Sequence, residues 1–334
     1  MRFPDFIIGG AMKCATTSLH YVLSGHPDVF IPDGEIGCLD MDDQEQHPDF
    51  FIYSGRRWAY PDWENERDKY LKWYASFFQA AKPGQLLGED STTYLASRNT
   101  AERMAELLPN VKLIFMLRDP GARTYSHYWH LVRTGRATQT FEEMLQFSPA
   151  SLLQRSLYKR QLERYFRLFP RERIKIILFE DFTKNPVEVV NDTLEFLHLP
   201  KTLDVARMRA HWNQAQVPLS FRLQLLRNRM IRARAARMYH NHLPLNVTKP
   251  WHAKITNGAQ EAVHLAFRLG NPMRVGSPPP MRPETREFLN VVLRTANAGL
   301  ADLIDVDVET KWYGARRAGK VDGGSKLQGE LAPG

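Results

Sequence analysis

Two short segments of this chain have the residue types and order that bind phosphate. In the first, Gly10-Ala11-Met12-Lys13-Cys14-Ala15-Thr16-Thr17-Ser18, a small-residue loop follows an apolar run and opens a helix pattern. Free backbone N–H groups at the helix start, the helix dipole, one ammonium and three hydroxyls suit an anion there. A loop for a metal-bound triphosphate needs glycine just before the lysine and Ser or Thr just after it, so that the hydroxyl can hold Mg²⁺. Met12 and Cys14 stand in those places. The metal-nucleotide reading weakens accordingly, and the plain alternative is a capped helix with a solvent lysine. In the second segment, Leu117-Arg118-Asp119-Pro120-Gly121-Ala122-Arg123-Thr124-Tyr125-Ser126-His127-Tyr128, Arg118 closes a strand pattern and Ser126 lies about two helical turns on. A planar guanidinium and a serine hydroxyl suit a second phosphate, although Arg118 taken alone reads equally as a salt-bridging cap. Two anion sites on neighbouring strand ends imply a ligand with two separate phosphate groups.

Such sites need strands that end side by side. Phe6-Ile7-Ile8-Gly9-Gly10 reads as a strand, followed by a helix from Thr16 to Leu23 with Leu19, Val22 and Leu23 on one face and Gly25 as a stop. Val111 to Leu117 is short, apolar throughout and bounded, as buried parallel strands are. Asp119 is placed to cap a helix whose first residue is Pro120. A third strand is expected over Ile174 to Phe179, with helix patterns at Leu157 to Phe169 and Pro186 to Leu197 on either side. Strands alternating with helices predict an α/β fold with a parallel sheet covered on both faces, and ligands of such sheets sit at the strand C-termini.

The 334 residues carry 45 basic and 37 acidic side chains, a net +8, which favours an anionic ligand or surface. No helix-turn-helix, zinc or RNP pattern accompanies that charge, so nucleic acid is not the expected partner. Cys14 and Cys38 alone supply neither a disulfide framework nor a thiolate zinc site, which fits a reducing, cytoplasmic compartment. Met1 to Asp5 runs straight into a strand, leaving no room for a signal peptide, and no apolar run approaches the ~18 residues of a membrane span. Residues 40–78 begin acidic and then carry Trp58, Tyr60, Trp63, Tyr70, Trp73, Tyr74, Phe77 and Phe78; they read as an insertion packing its own aromatics, ahead of a ligand-stacking wall. Residues 219–240 set six arginines beside Leu219, Leu223, Leu226 and Met230 at helical spacing. A buried apolar stripe under a solvated basic face is expected, with contact to an anionic membrane surface or acidic acceptor as the alternative. The glycine-rich, apolar-poor tail 314–334 is expected to be disordered.

Taken together, these residues resemble the sulfotransferases that use 3′-phosphoadenosine 5′-phosphosulfate (PAPS), in the branch similar to carbohydrate and heparan sulfotransferases. The 5′-phosphosulfate loop of that family matches Lys13-Cys14-Ala15-Thr16-Thr17-Ser18-Leu19, and its 3′-phosphate segment matches Phe115 to Tyr128. Further similarity runs through Gly88-Glu89-Asp90-Ser91-Thr92-Thr93-Tyr94-Leu95, Ser156-Leu157-Tyr158, Phe179-Glu180-Asp181 and the pattern Met281, Thr285-Arg286, Leu289, Asn297, Leu300 and Trp312. The resemblance implies one P-loop-like, three-layer domain over residues 1–313 that transfers a sulfuryl group from PAPS to a hydroxyl or amine, of a carbohydrate or glycolipid among other acceptors, and releases adenosine 3′,5′-bisphosphate. It implies no metal. It places Lys13, Cys14, Ala15, Thr16, Thr17 and Ser18 at the 5′ end of the donor, Arg118 and Ser126 at the 3′-phosphate, and Tyr158 and Arg274 among the remaining donor contacts.

In sulfuryl transfer negative charge grows on the leaving phosphate oxygen, and Lys13 is the cation expected to meet it. The resemblance makes Glu35 the first choice for the base that takes the acceptor's proton. His127 follows, with His130 beside it and Asp90 and Glu89 after them; a histidine on an amphipathic helix is more often structural. The chain departs from the family in three places. Ala15 replaces a glycine; Gly34-Glu35-Ile36-Gly37-Cys38-Leu39-Asp40 keeps the glutamate but not its usual lysine, histidine and phenylalanine neighbours; and Arg274-Val275-Gly276-Ser277 only loosely matches the basic nucleotide loop. Related enzymes often have a lysine where Glu89-Asp90-Ser91 stands, which leaves the acceptor side open. A nucleotide-binding module without transfer and a phosphotransferase with an altered loop are the competing classes.

Overall fold

Apolar runs of five or six residues form the centre of the molecule, as their continuous hydrophobicity requires. The computed structural model describes residues 1–53, 55–201, 216–235 (backbone only for 231–235), 265, 267 and 269–314. The chain runs β1 (Phe6–Gly10), α1 (Thr16–Ser24), β2 (Val29–Phe30), a hairpin of β3 (Ile52–Tyr53) and β4 (Trp58–Ala59), α2 (Trp63–Ser76), β5 (Leu86–Asp90), α3 (Thr100–Leu107), β6 (Lys112–Leu117) and α4 (Pro120–Arg133). It continues through α5 (Phe141–Phe147), α6 (Pro149–Leu153), α7 (Tyr158–Leu168), β7 (Ile174–Leu178), α8 (Phe179–Lys184), α9 (Pro186–Phe196), β8 (Gln216–Pro218), α10 (Phe221–Ala235) and β9 (Met273–Val275). Helices Pro283–Ala296, Leu300–Ile304 and Val308–Tyr313 close it.

Five strands form one parallel sheet in the order β2-β5-β1-β6-β7, flanked by helices, which is the expected P-loop-like α/β architecture. Phe6 to Ile8 of β1 and Leu113 to Leu117 of β6 have no exposed surface at all. Gly88 in β5 lies under the Phe6 ring so closely that a Cβ there would overlap it. The strand order brings the C-terminal ends of β5, β1, β6 and β7 to one edge, the crevice where such sheets bind ligands.

Of the 40–78 aromatics, Trp63, Tyr70, Tyr74 and Phe78 are buried in this same central cluster and Trp73 and Phe77 pack against it, so the segment has no separate core, while Trp58 and Tyr60 are exposed. The acidic residues before them are clamps. Asp42 holds Arg103 through two contacts of 2.5 and 2.7 Å, and Glu45 holds Arg98 at 2.6 Å.

Helix α10 reverses the expected arrangement. Leu219, Leu223, Leu226 and Met230 face outward, while Gln224, Leu225 and Asn228 are buried. The last carbonyls of a helix lack intrahelical donors. Here the Asn228 amide donates to Val132 O (2.9 Å) and Ala137 O (2.8 Å), and the Gln224 amide donates to Val132 O (3.2 Å). Supplying donors at the end of α4 therefore decides which face of α10 turns inward. The rest of that basic region, residues 236–240, and the tail beyond Gly314 lie outside the described residues.

Candidate functional site

At the end of β1 the chain must turn sharply beneath the loop that follows β5. Gly10 sits at φ +138°, and a Cβ there would lie 2.9 Å from the Thr92 carbonyl oxygen, so the turn requires glycine. Lys13 (φ +73°) and Ala15 (φ +70°) are left-handed, a conformation that costs a residue with a Cβ about 1–2 kcal/mol. Backbone strain of this kind is characteristic of functional loops. Ala15 occupies the N-cap of α1, where it offers no side-chain hydrogen bond, and the first turn of the helix contains no acidic residue. The leading N–H groups are thus left for an external acceptor.

At the end of β6, Asp119 caps α4 as the Asp-Pro pair predicts, accepting from the Ala122 N–H at 2.5 Å, and it also accepts from Arg286 at 2.7 Å. Arg118 lies 4.3 Å from the centre of the Phe179 ring and donates to the Lys13 carbonyl at 3.4 Å. Ser126, Trp129, His130 and Arg133 follow at i, i+3, i+4 and i+7, one face of α4. A cavity of about 820 Å³ lies between these elements. Lys13, Ala15, Thr16, Thr17 and Ser18 line it together with Arg118, Ser126, Trp129, His130 and Arg133, and Glu35 and Thr92 also face it. Ser277 to Met281 close another side, tied down by the Tyr125 hydroxyl donating to Pro279 O at 2.8 Å. Among the described residues no carboxylate pairs with Lys13, Arg118 or Arg133. Burial, then the Arg133 charge, push the Lys13 pKa below its ordinary value, with Glu35 opposing them.

Glu35 accepts from the Thr92 hydroxyl at 2.9 Å and from the Thr92 N–H at 3.3 Å. Glu35 is exposed where it opens onto the cavity, while protein packed around the rest of its carboxylate displaces bulk water. That withdrawal from bulk water, with Asp90 behind it, pushes the pKa up to about 7. A carboxylate so placed is poised to take a proton near neutral pH.

Several expected residues lie elsewhere. His127 is buried one step round α4 from the cavity-lining face, its Nδ1 unpartnered; burial drives its pKa well down, and it does not line the cavity. His130 lines the cavity instead, and burial beside Lys13 and Arg133 lowers its pKa to about 3, leaving a neutral imidazole. The Cys14 side chain points into the core, where burial pushes the thiol up to about 12, so this residue has only its backbone to offer a ligand. Tyr158 is also fully buried behind the loop, its hydroxyl donating to Arg118 O at 3.1 Å and lying 4.0 Å from Cys14 Sγ. Arg274 is exposed on β9 and outside the cavity lining; Ser277 and the prolines after it face the cavity. Glu89 is in the core, accepting from the Ser91 and Tyr94 hydroxyls at 2.7 Å and from Tyr74. Asp90 is buried 3.5 Å from His20 Nδ1. Neither of these carboxylates lines the cavity, and neither do the aromatics of residues 40–78.

Sequence reasoning assigned no role to Thr92, Trp129 or Arg133, although the i+3 and i+7 spacing from Ser126 signals the last two. It also passed over Arg155, which braces the loop from below: its guanidinium contacts Met12 Sδ at 3.0 Å and donates to Gln46 Oε1 and Gln46 O at 2.8 and 2.9 Å.

Known proteins share this sequence pattern and this fold. The sulfotransferase family matches residues 4–204. Bifunctional heparan sulfate N-deacetylase/N-sulfotransferase 2 of Mus musculus is 28% identical over 234 residues, covering 64% of this chain and 25% of that protein. The chain thus spans about a quarter of the length of that relative. Heparan sulfate glucosamine 3-O-sulfotransferase 5 of Mus musculus is 23% identical over 260 residues, 74% of this chain and 68% of the other. A solved sulfotransferase from Alicyclobacillus acidocaldarius is 26% identical, covers 94% of this chain and all of its own, and superposes with a TM-score of 0.60.

Proposed function

The chain belongs to the sulfotransferase family, and from that premise we propose that it transfers a sulfuryl group from PAPS to a hydroxyl or amine of a carbohydrate-class acceptor. One observation carries this reading: two donor clusters with no carboxylate partner among the described residues, the Lys13 loop and the Arg118–Ser126 pair, open on one cavity that also holds the Glu35 carboxylate. The donor set fits PAPS. A left-handed loop, an uncapped helix start and three hydroxyls suit the phosphosulfate end, a planar guanidinium and a serine suit the 3′-phosphate, and the cavity has the volume of a cofactor site. Two relatives named for heparan sulfate favour a carbohydrate acceptor.

Bound PAPS supplies the activated sulfuryl group. Thr16, Thr17 and the leading N–H groups of α1 hold the phosphosulfate end, and Lys13 meets the charge that grows on the bridging oxygen as its bond to sulfur breaks. Arg118 and Ser126 fix the other end, so that the sulfur is presented in line. Glu35, oriented by Thr92, takes the acceptor's proton as the new bond to sulfur forms. His130 is neutral and can donate or accept a hydrogen bond to the acceptor, while Trp129 and the Pro278–Met281 segment narrow the opening.

The test is calorimetry with adenosine 3′,5′-bisphosphate and with AMP, followed by an assay with labelled PAPS and a panel of glucosaminyl acceptors. Tighter binding of the bisphosphate and labelled product support the reading. Equal affinities remove the second phosphate site. Tight binding without transfer to any acceptor favours a binding module, and magnesium-dependent preference for ATP favours a phosphotransferase.

A further inference from the structure

The net positive charge of this chain comes from one stretch of its sequence. Residues 205–260 hold ten of its 45 lysines and arginines and none of its 37 aspartates and glutamates, which leaves 35 basic against 37 acidic residues elsewhere. The charge surplus therefore does not arise at the nucleotide cavity. It belongs to the stretch that contains α10.

The outward face of α10 is apolar. Leu219, just before the helix, and Leu223, Leu226 and Met230 within it are 50%, 45%, 50% and 65% exposed, and at 100° per residue the three helical ones fall within an arc of about 60°. Exposed Arg222 and Arg229 border that arc on one side. Leu269, 75% exposed, extends the apolar surface beside the start of the helix, because the Asn271 side chain two residues later accepts from Ser220 N at 2.6 Å and donates to Ser220 O at 3.0 Å. The inward face is fixed by the amide bonds of Gln224 and Asn228 to the end of α4, so a simple roll of α10 that buried the leucines would break three hydrogen bonds.

We propose that α10 docks this protein on the surface of a bilayer containing anionic lipid. The leucines and Met230 enter the boundary between headgroups and acyl chains, and the flanking guanidiniums meet lipid phosphates. Charge complementarity selects this occupant over a second copy of the chain. A symmetric pair would bring Arg222 and Arg229 of one α10 against those of the other, and the segment that holds α10 has no carboxylate of its own between residues 205 and 260, Glu143 of α5 being an acidic residue that reaches Arg229. Among the described residues no helix is long and apolar enough to cross a membrane, and the proposed contact lies at the surface.

The full chain is sedimented with phosphatidylcholine vesicles and with vesicles containing roughly one third phosphatidylglycerol. Binding to the anionic vesicles is expected to be at least about tenfold tighter and to weaken in roughly 0.5 M salt, where surface charges are screened. The double variant Leu223→Ser/Leu226→Ser is expected to lose at least about tenfold in vesicle affinity. Both side chains are exposed, and unchanged binding of adenosine 3′,5′-bisphosphate serves as the check that the variant is folded. No vesicle binding, equal binding to both compositions, or binding that the leucine substitutions leave intact overturns the proposal. So does a concentration-dependent dimer in sedimentation velocity that the double variant abolishes while the parent ignores vesicles, since that result assigns the stripe to a second copy.

Discussion

Replacing Glu35 with Gln keeps the size of the side chain and its amide oxygen as acceptor for the Thr92 hydroxyl, but removes the group proposed to take the acceptor's proton. Loss of a positioned general base lowers turnover by roughly 10²–10⁴-fold, while the affinity for adenosine 3′,5′-bisphosphate should stay near that of the parent. The structure adds a signature in pH. With its pKa pushed up to about 7, Glu35 is protonated and idle below that pH and ionised above it. Roughly one molecule in eleven is competent at pH 6 and roughly ten in eleven at pH 8, so kcat should rise about tenfold across that interval and then level off. A carboxylate at its ordinary value of about 4.3 would give a flat profile over the same range. Thr92→Val provides the internal control. It removes a hydrogen bond of 2.9 Å to the charged form, which raises the pKa further, so the rising limb should move to higher pH by about one unit. Single-turnover rates with saturating donor, measured from pH 6 to pH 9, decide the matter. A Glu35→Gln enzyme that transfers at the parent rate, or keeps the parent's rising limb, refutes the assignment.

Arg118→Ala should weaken adenosine 3′,5′-bisphosphate by about 2–5 kcal/mol and AMP far less; calorimetry reads both, and equal losses would place the 3′-phosphate elsewhere. Lys13→Ala should slow the chemical step more than it weakens donor binding, because the bridging oxygen gains charge only as its bond breaks. Single-turnover rates beside a dissociation constant separate the two effects, and the parent's transfer should persist in EDTA. Ala15→Gly should raise thermal stability by up to about 1 kcal/mol, since relief of a left-handed Cβ (about 1–2 kcal/mol) exceeds the added chain entropy of glycine (about 0.5–1 kcal/mol). A lower Tm in calorimetry would mean that Ala15 is held by packing that glycine loses.

What the sequence made legible was whatever is encoded locally. The Lys13 loop, the Asp119-Pro120 cap and the Arg118–Ser126 spacing each lie within a dozen residues and follow from turn and helix geometry, and the alternation of apolar runs with helix patterns leads to the parallel sheet. Choices that depend on distant partners were not legible. His127 sits beside Ser126 in the chain but one step round the helix; His130, four residues from Ser126, is the one that reaches the cavity. Strand β5 is not among the strands expected from the sequence, because Gly88, Glu89 and Asp90 follow Leu86 and Leu87 and leave no apolar run of strand length. Tyr74 and Tyr94 satisfy Glu89 there, and His20 lies 3.5 Å from one oxygen of Asp90, whose Oδ1 stays buried without a partner. The two-residue β2 is too short to announce itself. Helix α10 defeats pattern reading altogether, since carbonyls at the end of another helix determine which of its faces turns inward.

The two proposed phosphate subsites share a frame. Arg118 donates to the carbonyl of Lys13, and Tyr158 clasps the carbonyl of Arg118 while its oxygen rests against the thiol of Cys14, the residue between Lys13 and Ala15. Whatever settles at one end of the ligand thereby stiffens the backbone that must receive the other. The free energies of the two ends are then linked, and a nucleotide bearing both phosphates should bind more tightly than the separate affinities of its halves would add up to. In that linkage Tyr158 is a keystone that touches no ligand. Trimming its hydroxyl would leave every contact group in place and still erode the cooperation between them.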